Sequence, residues 1–149
     1  MIRRTSVAIA MAAALAATAA FAQAQFGTAA EAKAMLDKAV AAVKADKAKA
    51  LDEFNAGTGG FKDRDLYVFC AGPDGALTAH PALKGKQLTS IVDKNGKKLG
   101  EEMAASAAEG KVAEVSYMWP RPGADTTPVQ KVSYVTKVGD QICGVGYYK

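Results

Sequence analysis

The chain has one histidine, His80, and two cysteines in 149 residues. A structural zinc needs about four nitrogen or sulfur ligands, so donors for a metal site are too few. No C-x-x-C-H run occurs, which excludes covalent haem. A hydrolase needs a nucleophile, a base and an orienting group at suitable geometry, and with one histidine and no nucleophile motif no enzyme activity is expected. No catalytic residue, metal or cofactor is assigned. An excess of charge of one sign is lacking too: 19 Lys and Arg face 15 Asp and Glu. The lysines are scattered through the chain, so the clustered basic surface of a nucleic-acid binder is missing and no nucleic-acid partner is expected. Past residue 24, no stretch reaches the ~18 apolar residues of a membrane span.

What is present begins with a leader. Arg3 and Arg4 precede an apolar run, and Ala20-Phe21-Ala22 supplies small residues of the A-x-A kind. This is the pattern of a secretory signal peptide, 1–22, with cleavage after Ala22 or Ala24. The expectation is an exported protein, periplasmic or secreted, that is not embedded in the membrane after processing. Of 149 residues, 149 less 22 leaves 127, enough for one domain with its own core, here read as 26–149. Loss of Arg3 and Arg4 brings the balance to 17 basic against 15 acidic residues, or +2. An exported compartment permits Cys70 and Cys143 to be oxidised, and two buried free thiols are the alternative.

Residues 28–55 read as helix. Thr28-Ala29-Ala30-Glu31 fits a capping box, and Leu36, Ala39, Val40 and Val43 recur at helical spacing. Asp46 is placed to cap a second helical piece after a break near Lys44, and Gly57, Gly59 and Gly60 end the region. A hairpin follows: strand 66–70, a Gly72-Pro73-Asp74-Gly75 turn and strand 76–80. A loop at 81–88 and a turn at Asp93-Lys94-Asn95-Gly96 lead to a helix over 99–109, closed by Gly110. Three strands complete the chain, 112–119, 130–138 and 141–148. A Pro- and Gly-rich loop separates the first two, and the Gly139-Asp140 turn separates the last two. Strands in runs, with helices apart from them, predict an α+β fold with an antiparallel sheet.

The string Asp65-Leu66-Tyr67-Val68-Phe69, with Asp74-Gly75, Ala79-His80-Pro81 and Gly85-Lys86, resembles the single Cache domain. So do Tyr117-Met118-Trp119-Pro120-Arg121-Pro122-Gly123, Lys131-Val132-Ser133-Tyr134-Val135 and Gly144-Val145-Gly146-Tyr147-Tyr148. The resemblance runs in order over nearly the whole chain after the leader. It implies an extracytoplasmic, PAS-like sensor module with five antiparallel strands in the order 2-1-5-4-3 and a long N-terminal helix on one face. It implies a small organic ligand, such as a carboxylate or an amino acid, and a membrane receptor or sensor kinase as partner. The expectation is a free exported module that captures such a ligand. The alternative is an envelope interaction protein without a working pocket. In the implied strand order the first and last strands are antiparallel neighbours, so Cys70 and Cys143 are expected to form a disulfide.

The candidate site comes from the third and fourth strands and the loop between them. Tyr117 and Trp119, two apart, face one side of their strand. Together they offer apolar walls with one O–H and one N–H donor. Arg121 can clamp a carboxylate and Lys131 adds a point charge. The resemblance also points to Tyr134, yet Lys131 and Tyr134 fall on opposite faces of a regular strand. His80, within the motif before Pro81, completes the set as a ligand contact or as a structural hydrogen-bonding group.

Overall fold

A computed structural model describes residues 25–149 of the chain. The expected leader lies outside the described residues. Helix α1, Ala29–Ala45, starts on a reciprocal capping box between Thr28 and Glu31. It buries Ala32, Met35, Leu36, Ala39 and Val43, a stripe at helical spacing. Asp46 takes an extended backbone and closes this helix by donating its N–H to Ala42 O. The same residue opens α2, Lys47–Ala56, by accepting from the Lys49 N–H. One aspartate therefore makes the break expected near Lys44.

The strands are β1 (Lys62–Asp63), β2 (Leu66–Ala71), β3 (Leu77–Ala79), β4 (Ala113–Pro120), β5 (Pro128–Val138) and β6 (Gln141–Tyr148). All pairings are antiparallel. The path across the sheet runs β1-β2-β6-β5-β4, and β3 also pairs with β2. The five strands read from the sequence thus take the order β3-β2-β6-β5-β4. The two-residue β1 is additional, formed where the chain turns back through Arg64 at φ 54. Register places Cys70 opposite Cys143, and the two are joined by a disulfide with S–S 2.07 Å.

Strand periodicity divides the interior into two layers. Leu66, Val68, Cys70, Cys143 and Val145 face α1 and α2. Tyr67, Phe69, Ala71, Val115, Tyr117 and Val135 face the other way. That second face is covered by the segment after β3, by the 3₁₀ turn Leu88–Ser90 and by α3, Leu99–Ser106. Helix α3 is shorter than the expected 99–109. Thr136 Oγ1 donates to the carbonyls of Ala108 and Lys111, and Lys137 N–H donates to Ala108 O. These bonds to β5 hold residues 108–111 in a turn, with Gly110 at φ 73, outside the helix.

Candidate functional site

The site face is built by register. Tyr117 on β4, Lys131 on β5 and Tyr148 on β6 are successive Cα partners and form one row across the sheet. Lys131 is fully buried, with 1 % of its surface exposed. Its side chain lies over Gly146, where an added Cβ would sit 2.4 Å from Lys131 Cε and 2.6 Å from Ser133 Oγ. The bare backbone of β6 is what lets the lysine cross toward β2. There Lys131 Nζ donates to Tyr67 Oη at 3.0 Å, lying 4.3 Å from the Tyr67 ring centroid and 4.7 Å from that of Tyr148.

Tyr67, Phe69, His80, Leu83, Tyr117 and Trp119, with Leu88, Leu99 and Met103 from the covering segment, line a cavity of about 330 Å³ including its mouth. The Tyr117 and Trp119 rings meet edge to face, with centroids 6.1 Å apart, as their spacing predicts. Tyr117 Oη is hydrogen-bonded to Ser133 Oγ at 2.8 Å. An outer groove shares Tyr67, His80, Leu83 and Trp119 with the cavity and adds Arg121, Lys62 and Asp125. His80 Nδ1 accepts the N–H groups of Ala82 and Leu83, each at 3.0 Å. Its proton therefore sits on Nε2, and the ring acts as an anchor for the covering loop and as a neutral donor.

Arg121 follows β4 directly. Its guanidinium stacks on Phe26 at 4.2 Å and lies 5.0 Å from the Tyr148 ring centroid. Arg121 Nε stands 3.9 Å from Asp65 Oδ2, an ion pair too long for a hydrogen bond, and both atoms are buried without a hydrogen-bonding partner. Asp65 is 5 % exposed, and its Oδ1 accepts the Gly27 N–H at 2.7 Å. Two cations and one carboxylate thus gather beside the aromatic cavity. Burial lowers the Lys131 amine to about 7, partly opposed by the charge of Asp65. Burial and the charge of Lys131 bring His80 down to about 4. Burial pushes the Tyr67 phenol up to about 12, against a hydrogen bond from Trp119, and also raises Tyr117 and Tyr148.

Tyr117, Trp119, Arg121, Lys131 and His80 are brought to this one region. Tyr134 is not. It lies on the helix face, stacked on Tyr147 with centroids 5.7 Å apart and packed against the α1 core. Strand β5 runs without a bulge here, so the odd spacing from Lys131 carries Tyr134 to the opposite side. Tyr67 and Asp65 belong to the site and were not singled out from sequence. Every residue of β2 is buried, so its apolar run hid which face each side chain takes. The signal available was Asp65 itself, an acidic residue set directly before that run.

The comparisons agree with this architecture. Residues 32–147 match the family model described as "Cache domain". A 72-residue stretch is 39 % identical to the methyl-accepting chemotaxis protein McpP of Pseudomonas putida; it covers 47 % of this chain but only 13 % of that protein. A methyl-accepting chemotaxis protein from Vibrio parahaemolyticus shares the fold, at TM-score 0.61 and 24 % identity over 80 % of this chain and 86 % of that one. A third similar structure, at TM-score 0.57 and 27 % identity, covers 78 % of this chain and 84 % of its own. It is described as the structural basis for carboxylic acid recognition by a Cache chemosensory domain. A sheet in the expected order, a helix pair on one face, an aromatic cavity on the other and a family match over 32–147 lead to one assignment: the chain belongs to the Cache domain family.

Proposed function

We propose that this chain is an exported sensor module that captures a small organic acid in the cavity beneath Trp119 and presents it to a membrane receptor or sensor kinase. The observation that carries this reading is the set of charged groups, buried Lys131 and half-buried Arg121 against buried Asp65, next to a cavity with apolar walls. With Lys131 protonated, one ligand carboxylate balances that set. The solved Cache domain described by its carboxylic acid recognition supports the same class of ligand. In this reading Trp119 and Phe69 form walls, Tyr67 and the His80 Nε2–H donate hydrogen bonds, and Lys131 and Arg121 hold the carboxylate. Tyr117, already bonded to Ser133, shapes the wall.

The test is a thermal-shift screen of carboxylic acids followed by calorimetry on Arg121→Ala and Lys131→Met. A charge-assisted hydrogen bond contributes roughly 1.5–3 kcal/mol. Loss of a true charge partner therefore weakens binding by about ten- to a hundredfold. A screen in which no acid raises the melting temperature rejects the ligand reading in favour of an envelope interaction protein. Processing of the leader is checked by the mass and N-terminal sequence of the exported protein, expected to begin at Gln23 or Gln25.

A further inference from the structure

Lys131 has no ion pair with any carboxylate among the described residues, and its side-chain hydrogen bond goes to an uncharged phenol. An ammonium ion so buried loses its hydration, and one phenol, two tyrosine rings and the unbonded charge of Asp65 replace it only in part, so the apo site favours the neutral amine. An anion arriving beside it reverses that preference. We propose that the site binds an organic acid together with a proton, which Lys131 takes up from solvent as the carboxylate enters. This rests on the acid-binding reading above and adds its regulation by pH.

The groups facing Lys131 make this linkage specific to it. Tyr67 and Asp65 approach from β2 and its start, Tyr117 and Ser133 from β4 and β5, Tyr148 from β6, Arg121 from the loop after β4 and His80 from the loop after β3. Burial moves the three phenols upward and His80 downward, away from neutrality. Only the Lys131 amine is brought to about 7. At lower pH the amine is already charged and ready for an anion. At higher pH each acid bound must recruit a proton, so affinity falls by up to about tenfold per pH unit.

The probes are acetate and propionate, titrated calorimetrically into the disulfide-bonded protein from about pH 6 to pH 9 in buffers of different ionisation enthalpy. The expected result is little proton uptake at pH 6 and uptake approaching one proton per acid near pH 8 or above, with weakening affinity. Lys131→Arg keeps its charge and is expected to bind without proton uptake. Lys131→Met gives a second variant without a titrating amine and should lack the linkage in any residual binding. A direct reading comes from the carbon shift of the Lys131 side chain in lysine-labelled protein, expected to titrate near neutrality in the apo form. Titration only above about pH 9.5, or uptake that persists in Lys131→Met, overturns the proposal. Affinity that stays flat from pH 6 to 9 without uptake overturns the coupling and leaves acid binding standing. Failure of every carboxylic acid in the screen to bind at pH 6 overturns both.

Discussion

Lys131 and Gly146 act as a pair. The lysine lies where a side chain on residue 146 would stand, so Gly146→Ala forces the Lys131 stem and the Ser133 hydroxyl aside. Overpacking of this kind costs roughly 1–3 kcal/mol. The variant is expected to melt lower and to bind acid more weakly. In Lys131→Ala, where the stem is gone, the same glycine change should cost less, and a double-mutant cycle measures the difference. Lys131 itself opposes stability. Its amine is lowered in the folded state, so between about pH 7 and 10 the unfolded chain binds more protons than the folded one. Stability from this group therefore rises with pH across that window. Lys131→Met is expected to be more stable than the native protein at pH 6, by roughly 1–4 kcal/mol, while binding acid less well. Chemical denaturation at pH 6 and pH 9 checks the sign, and the gain should shrink at the higher value.

The two N-terminal helices depend on one side chain. Asp46 caps α2, and its extended backbone prevents α1 and α2 from fusing. Asp46→Ala is expected to cost about 1 kcal/mol, as the loss of an N-cap does. A comparable loss in Thr28→Ala, read by thermal melting, would identify capping as the common cause. Edge strand β4 is managed by the loop before α3. Asp93 Oδ2 accepts the Met118 N–H, and Lys97 Nζ donates to Ser116 O, so two groups on the open edge are already engaged. The Met118 N–H is the main cause holding the Asp93 carboxyl below its usual range. Asp93→Ala should melt lower and self-associate more readily, which light scattering at increasing protein concentration measures.

At the scale of the whole molecule, the sheet sets the disulfide and the candidate cavity on opposite faces. The disulfide is buried with the α1 and α2 core, and the cavity lies on the other side. The bridge spans 73 residues of sequence. In the chain-entropy model its loss costs roughly 4 kcal/mol. Cys70→Ala/Cys143→Ala is expected to lower the denaturation midpoint strongly yet retain acid affinity within about twofold below the transition, because no cavity wall contains either cysteine. A parallel loss of affinity in the folded variant would show that the faces are coupled through the sheet.

Local chemistry was decided by the sequence itself. The Thr28–Glu31 box, the Asp46 break, the Tyr117/Trp119 alternation and the Gly139-Asp140 hairpin are contacts between near neighbours, so the residue types specify them. The odd spacing of Lys131 and Tyr134 already implied that strand pairing would separate them. The resemblance supplied the strand order, and through it the Cys70–Cys143 pairing. Other features belong to the tertiary structure alone. Helix α3 ended early because Thr136, far along the chain, took the carbonyls of Ala108 and Lys111. Tyr67 and Asp65 joined the site because β6 paired with β2 and left Gly146 open for Lys131 to cross. Such contacts depend on which residues of distant strands come into register, and no single segment carries that information.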